Sequence, residues 1–182
     1  MLKDNPIYLI TGIMAAGKST IAQLLAERFA KSVHLRGDIF RKMIVSGRED
    51  MAANPTDEAL RQLYLRYDIA AKAASIYYRA GFTVIWQDVM VGKVLSEVIA
   101  RIRPYPVYVI VLCPAPEIVA EREIMRYKSG YGKGFTPENF HQLMSDETPR
   151  IGLWLDSSQQ TPEETVNEII TRTQSGEGRV IY

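Results

Sequence analysis

The chain has 182 residues, of which 47% are apolar and 24% are charged, and its formal net charge is +1. This length and composition predict a single globular domain over residues 1–182, with enough apolar surface for a sizeable core. The near-neutral charge argues against a surface for long nucleic acids, and no apolar run is long enough to cross a membrane. Cys113 is the single cysteine, which excludes an internal disulfide, and residues 1–6 do not look like a secretion leader. These features favour a cytoplasmic protein.

The chain is organised around its first strand, loop and helix. Residues 7–11 form a short apolar run that is typical of a buried parallel strand. Residues 12–19 follow as G-x-x-x-x-G-K-S, the pattern of a phosphate-binding loop. Apolar residues at helical spacing then predict an amphipathic helix, and they are Ile21, Leu24, Leu25 and Phe29.

Each fixed position of the loop has a chemical reason. Gly12 and Gly17 let the backbone bend so that successive N–H groups point at phosphate oxygens, while the positive end of the helix faces the same anion. Lys18 adds a cation, and the Ser19 hydroxyl is a hard ligand for Mg²⁺. A glycine turn with a surface lysine is the alternative. The expected nucleotide contacts are Gly12, Ile13, Met14, Ala15, Ala16, Gly17, Lys18, Ser19 and Thr20.

A second strand is predicted at residues 32–36, and Asp38 follows where the strand gives way to a helix. Side chains at the carboxyl ends of strands in open α/β sheets face the ligand crevice, so Asp38 is a candidate catalytic carboxylate. The alternative is that Asp38 caps the helix. Arg41 lies one helical turn later and is either a site residue or a solvated helix arginine.

The next segment predicts a loop, a long helix and a third strand. Residues 45–56 are polar and contain glycine and proline, which indicates a loop that covers part of the acceptor site. A helix capped by Thr56 or Asp57 should run to about Arg79 and end at Gly81. The strand at residues 82–88 ends in Asp88. This acid is either the Mg²⁺-side partner of the phosphate loop or a cap for a helix at 91–102.

The clearest buried strand covers residues 106–113, and a helix that opens with Pro114 to Glu117 follows it. Arg122 and Arg126 are spaced i and i+4, so they share one helical face. Glycines then alternate with bulky or cationic residues, which predicts a short cationic lid at about 126–136. An exposed basic helix with an irregular loop is the alternative. Lid cations would neutralise charge that develops during phosphoryl transfer and would exclude water.

The remainder predicts a helix from Thr136 to about Thr148, a last parallel strand at residues 153–156 and a helix that starts at Thr161. The tail at residues 175–182 ends apolar after a glycine break. It is expected to pack either on a sheet edge or on another subunit. His34 and His141 lack metal-ligand spacing and are interpreted as structural or solvated.

The chain resembles the small P-loop kinases. The features that carry this resemblance are the phosphate loop, Asp38 with Arg41, the strand ending in Asp88 and the arginines before the glycine-rich segment. The chloramphenicol phosphotransferase-like and zeta-toxin-like group is the nearest in pattern, with gluconate kinase-like proteins close to it. The resemblance implies an α/β three-layer sandwich of the P-loop NTPase type, with a five-stranded parallel sheet in the order 2-3-1-4-5, helices on both faces and a short lid. It also implies ATP with Mg²⁺, a proton-accepting carboxylate at Asp38, and lid arginines at Arg122 and Arg126.

The predicted function is transfer of the ATP γ-phosphate to a hydroxyl of a small molecule, such as an antibiotic, a sugar or a nucleotide-sugar. A P-loop switch or ATPase without a small-molecule acceptor is the alternative. The predicted catalytic residues are Asp38, Lys18, Arg41, Arg122 and Arg126, and the predicted Mg²⁺ contacts are Ser19 and Asp88. The sequence leaves open whether the protein is a monomer or a homodimer.

Overall fold

The computed structural model describes residues 5–125, 131 and 134–182. The strands are β1 (Ile7–Gly12), β2 (Ser32–Arg36), β3 (Thr83–Gln87), β4 (Val107–Leu112), β5 (Leu153–Leu155) and β6 (Arg179–Val180). The helices are α1 (Lys18–Glu27), α2 (Asp38–Lys42), α3 (Asp57–Arg79), α4 (Val94–Ile102), α5 (Pro116–Ile124), α6 (Pro137–Glu147) and α7 (Pro162–Gln174).

Five parallel strands lie in the order β2-β3-β1-β4-β5, which confirms the predicted topology. A sixth strand, β6, pairs antiparallel with β4. Both β5 and β6 lie on the side of β4 that faces away from β1. Strand β5 pairs with residues 110–112 of β4, and β6 pairs with residues 107–108. The C-terminal tail therefore packs on the edge of the sheet within its own chain, which is one of the two placements that its sequence allows.

The core lies along the two central strands, β1 and β4, in which every residue is buried. Such fully apolar strands need cover on both faces, and helices provide it, with α1 packed on α7 and α3 packed on α4. Within the described residues, no helix is long and apolar enough to span a membrane.

Side-chain caps mark the starts of three of the seven described helices, α3, α6 and α7. The hydroxyl of Thr56 accepts the Ala59 N–H at the start of α3. Helices α6 and α7 each begin with a threonine followed by proline, and each has a complete capping box, in which Thr136 pairs with Asn139 and Thr161 with Glu164. These caps explain why the predicted starts agree with the structure.

Candidate active site

The phosphate loop connects β1 to α1 at the carboxyl edge of the sheet. Gly12 has φ 151°, and a Cβ at this position would lie 2.5 Å from the carbonyl oxygen of Leu112, so the close contact with β4 requires glycine. Gly17 has φ 93° and occupies the N-cap position of α1. Ala15 has φ 60°, a left-handed conformation that costs a non-glycine residue about 1 kcal/mol.

Lys18 folds back over this loop. Its Nζ donates to the carbonyl oxygens of Gly12 at 2.9 Å and of Ile13 at 2.7 Å, and the residue is buried. Ser19 and Thr20 are exposed at the start of α1. The first N–H groups of a helix lack intrahelical partners, so the loop and α1 supply the donors and the positive end that a triphosphate requires. The residues present therefore fit a nucleotide phosphate group.

Asp38 is the first residue of α2 and follows β2 at the same edge of the sheet. Gly37 occupies the N-cap position without any side-chain cap, so Asp38 is not the helix cap. The carboxylate pairs with Lys42, and its Oδ1 lies 4.0 Å from Nε of Arg36. Within the part of the chain that the structure describes, this Oδ1 is buried and has no hydrogen-bond partner. Partial burial raises the pKa of Asp38, but Lys42, Arg36 and Arg66 together outweigh burial and hold it below its ordinary value. Asp38 is thus ionised at neutral pH.

Asp88 directly follows β3 and is buried. Its Oδ1 forms an ion pair with Arg66 at 2.8 Å and accepts a hydrogen bond from the Val89 N–H at 2.8 Å. The side chains of Arg66 and Asp88 are 8% and 1% exposed. Burial raises the pKa of Asp88, which Arg66 and then the Val89 N–H oppose. Helix α4 starts six residues later with Lys93 at its N-cap, so Asp88 does not cap that helix. Its predicted role as a Mg²⁺ contact stays a prediction.

Arg66 is the residue that sequence reasoning missed. It lies within α3, beside Tyr67, whose ring centroid is 5.1 Å from the guanidinium carbon and whose hydroxyl donates to the carbonyl oxygen of Val89 at 2.6 Å. Burial lowers the pKa of Arg66, but Asp88, Tyr67 and Asp38 together outweigh burial, and the net direction is upward. The available signal was a charged residue on the buried side of the long helix α3, next to a tyrosine.

Arg41 holds the loop between α2 and α3. Its Nη1 donates to the carbonyl oxygen of Glu49 at 2.9 Å and to Oδ1 of Asp50 at 2.8 Å. Gln62 of α3 holds the same loop, since its side-chain oxygen accepts the Glu49 N–H at 2.9 Å and its nitrogen donates to Gly47 at 2.7 Å. In this structure Arg41 therefore acts on the loop, and whether it also contacts an acceptor stays a prediction.

The predicted lid lies only partly within the described residues. Arg126, residues 127–130 and residues 132–133 lie outside them. The Tyr131 hydroxyl donates to the carbonyl oxygen of Met14 in the phosphate loop at 2.8 Å. Gly134 packs so closely on Ala53 that a Cβ at Gly134 would lie 2.7 Å from the Ala53 methyl group. The end of the lid segment thus contacts both the phosphate loop and the loop between α2 and α3.

Arg122 lies on α5 and donates from Nη2 to the carbonyl oxygen of Ser157 at 2.9 Å. It therefore joins α5 to the segment that follows β5. Cys113, just beyond β4, has its sulfur 3.5 Å from Nε2 of His141. This neighbour comes from α6, 28 residues away, and was not visible in the sequence. Burial raises the pKa of the Cys113 thiol, so the side chain is mainly uncharged.

A phosphate loop after the first strand, the strand order 2-3-1-4-5 and a carboxylate after β2 define the P-loop kinase fold. The chain belongs to the AAA domain family AAA_33, whose profile matches residues 7–150. The resemblance to small P-loop kinases that the sequence motifs indicated is confirmed at the level of family and fold. No curated protein matches the chain.

Solved structures with the same fold cover nearly the whole chain. A sugar kinase from Janibacter sp. HTCC2649 has 15% identity and a TM-score of 0.68, over 93% of this chain and 94% of that one. A tunicamycin resistance protein from Deinococcus radiodurans has 16% identity and a TM-score of 0.64, over 97% and 99%. A gluconokinase from Sinorhizobium meliloti has 16% identity and a TM-score of 0.60, over 94% and 93%. At such identities the likeness establishes the fold.

Proposed function

We propose that this protein is an ATP-dependent kinase that transfers the γ-phosphate to a hydroxyl of a small molecule. The observation that carries the proposal is the pairing of a phosphate loop with an ionised carboxylate on the same edge of the sheet. Strand β1 leads into the phosphate loop and β2 leads towards Asp38, and these two strands flank β3 in the sheet. A transferring phosphate and its acceptor need this arrangement.

The nucleotide side is assigned to the phosphate loop. The loop N–H groups and the start of α1 bind the β- and γ-phosphates, and Lys18 leaves the carbonyl oxygens of Gly12 and Ile13 to reach them. Ser19 is exposed and offers its hydroxyl to Mg²⁺, which neutralises charge on the phosphates when bound. Mg²⁺ takes most of its other ligands from phosphates and water. This agrees with the lack of a cluster of three or more His, Cys, Asp or Glu ligands among the residues described.

The acceptor side is assigned to Asp38. The Asp38 side chain is 33% exposed at the edge of the sheet that carries the phosphate loop, so an acceptor hydroxyl can reach its carboxylate and donate to it. A carboxylate with a pKa below its ordinary value is a weak base, but a loose transition state depends mainly on the alignment of the hydroxyl. Arg41, Arg122 and Arg126 are proposed to complete the site when the lid segment closes, with Arg122 leaving Ser157 to do so.

The acceptor class is proposed by analogy. Two of the solved structures are described as a sugar kinase and a gluconokinase, and a third as a tunicamycin resistance protein. A sugar, a nucleotide-sugar or an antibiotic is therefore the acceptor that we propose, with a cytoplasmic location where ATP and Mg²⁺ are supplied. The formal charge of +1 provides no basic track for a long nucleic acid.

Two measurements test this function. Isothermal titration calorimetry with ATP and Mg²⁺ should show binding by the wild type and a loss of at least about tenfold in affinity for Lys18→Met, because one phosphate cation is removed. A screen of sugars, nucleotide-sugars and antibiotics should then yield one acceptor whose mass increases by one phosphoryl group.

Asp38→Asn should bind ATP normally and lose about a hundredfold or more in the turnover of that acceptor. Asp68→Asn, an exposed acid on α3, is the matched control and should retain full turnover. A wild type that does not bind ATP with Mg²⁺ would reject the proposal. ATP binding and slow hydrolysis without any phosphorylated acceptor would favour a switch instead.

A further inference from the structure

Asp88 sits where three neighbouring strands end. Its own N–H donates to the carbonyl oxygen of Ile10 at 3.1 Å, and the carbonyl oxygen of Gln87 accepts the N–H of Gly37 at 3.1 Å. The backbone here therefore joins the strand that leads into the phosphate loop with the strand that leads into Asp38. A displacement of Asp88 would therefore displace the backbone on both sides of the proposed site.

The side chain of Asp88 is covered on all sides, and one of its two oxygens is occupied. Oδ1 is shared by Arg66 and the Val89 N–H, both at 2.8 Å, and the side chain is 1% exposed. Oδ2 is buried, has no hydrogen-bond partner among the described residues, and lies directly beneath Gly37, where a Cβ would overlap with it. A Mg²⁺ ligand needs an oxygen that faces open space and several waters, and neither oxygen of Asp88 offers this.

Gly37 is required by this contact and not by its backbone conformation. Its φ of −62° and ψ of −32° are helical angles that any residue adopts. A methyl group at Gly37 would collide with the Asp88 carboxylate and would also come within 2.9 Å of Nε1 of Trp86. Because Gly37 directly precedes Asp38, the position of the Asp88 carboxylate sets where α2 begins.

Arg66 completes the arrangement from the other side. Its guanidinium holds Oδ1, and the adjacent Tyr67 hydroxyl holds the carbonyl oxygen of Val89 at 2.6 Å. Helix α3 thus contacts the Asp88 side chain through Arg66 and the backbone of the next residue through Tyr67. A buried ion pair of this kind adds little net stability but defines geometry, because each partner is penalised if it moves away.

We propose that Asp88 is a positioning residue, which Arg66 holds against Gly37 so that Asp38 points into the cleft, and that it is not a Mg²⁺ ligand. This inference rests on the proposed function, since it assigns Asp88 a role in orienting the acceptor carboxylate. It replaces the metal role that the sequence suggested. Asp88 acts through the backbone of Gly37 and does not touch the substrate.

A double-mutant cycle tests the contact without any substrate. Gly37→Ala and Asp88→Ala should each reduce the equilibrium constant for folding. If their effects were independent, the reduction in the double variant would be the product of the two single reductions. We expect the double variant to be reduced less than this product, by a factor of about ten or more, because Asp88→Ala removes the collision. Asp68→Ala replaces Asp88→Ala in the control cycle and should combine with Gly37→Ala independently. Independent effects of Gly37→Ala and Asp88→Ala would overturn the proposal.

The milder variant Asp88→Asn keeps the side-chain shape and tests the metal role. Calorimetry measures the factor by which Mg²⁺ increases the affinity for ATP. This factor should be the same in Asp88→Asn and in the wild type to within about twofold, whereas Ser19→Ala should lose the increase. Amide exchange over residues 37–42 should become about tenfold faster in Asp88→Asn and stay unchanged in Asp68→Asn. Loss of the Mg²⁺ effect in Asp88→Asn, or unchanged exchange over 37–42, would overturn the proposal.

Turnover separates positioning from a structural role. With the acceptor found in the screen, Asp88→Asn should lower kcat by about tenfold while the KM for ATP stays unchanged. A control variant with the same thermal midpoint, but with its substitution outside the site, should keep its kcat. If the wild type does not bind ATP, the proposed function fails, yet the cycle between Gly37 and Asp88 still reports on the contact. The two failures are therefore distinguishable.

Discussion

Replacement of Arg66 by Met would remove one charge of the buried pair and keep most of the aliphatic stem. The Asp88 carboxylate would then be left buried, with the Val89 N–H as its remaining donor. Loss of one partner of a buried ion pair costs about 3–5 kcal/mol, which is a large part of the 5–15 kcal/mol that stabilises a typical domain. We expect the free energy of unfolding of Arg66→Met to fall by about this amount at pH 8.

The cost should depend on pH, because Asp88 can take up a proton instead of staying charged. Burial already raises the pKa of Asp88, and removal of Arg66 takes away its main opposing charge, so the pKa rises further in the variant. A group with a raised folded pKa costs stability once the unfolded chain releases its proton more readily than the folded chain. The penalty is therefore absent below the unfolded pKa of about 3.9, grows as pH rises from there, and is complete once pH has passed through the folded pKa.

Urea unfolding at pH 5 and pH 8, followed by circular dichroism, measures the effect as the difference between variant and wild type. The matched control is Arg101→Met, which breaks the exposed pair with Asp68 on the same helix and should cost about 0.2–1 kcal/mol at either pH. The reasoning would be refuted if Arg66→Met cost no more than Arg101→Met. Equal costs at pH 5 and pH 8 would refute the protonation argument alone.

Three further variants test other parts of the structure by the same unfolding assay. Ala15→Gly should stabilise the fold by about 0.5–1 kcal/mol, because glycine adopts the φ of 60° without strain. Thr161→Ala should cost about 1 kcal/mol, because it removes the capping box with Glu164. Tyr67→Phe should cost about 1–2 kcal/mol, because it leaves the carbonyl oxygen of Val89 without its donor.

Each of these variants has a partner that should behave differently. Ala73→Gly, in the interior of α3, should destabilise by about 1 kcal/mol, in contrast to Ala15→Gly. Thr171→Ala changes an exposed residue in the last turn of α7, and Tyr77→Phe changes an exposed tyrosine, so both should stay within about 0.5 kcal/mol of the wild type. Equal effects within a pair would contradict the role given to its first member.

The sequence was sufficient for the fold because its signals are local and repeated. The phosphate loop, the apolar runs of β1 and β4, and the threonine–proline starts of α6 and α7 each report on a few adjacent residues. Few topologies are compatible with such an alternation of strands and helices. The strand order itself was predicted from the family resemblance. The sixth strand was missed as such because two residues carry no strand periodicity, and only pairing with β4 defines them.

The candidate site was only partly predictable, for the same physical reason. Asp38 and Lys18 were found because strand ends and a glycine motif mark them in the linear chain. Arg66 was not found, since its significance comes from a partner 22 positions away that folding buries beside it. Arg41 likewise turned out to hold the loop through Glu49 and Asp50, which a helical pattern cannot show.

By itself, the amino-acid order determined the phosphate-binding turn, the alternation of strands and helices, and the presence of acids at strand ends, because these depend on neighbours along the chain. Tertiary structure alone decided the surroundings of each acid. Two aspartates with the same sequence context were separated by burial: Asp38 keeps an ionised carboxylate beside surface cations, whereas Asp88 is enclosed by Arg66 and Gly37. Solvation and charge pairing are properties of the packed chain, and no local pattern encodes them.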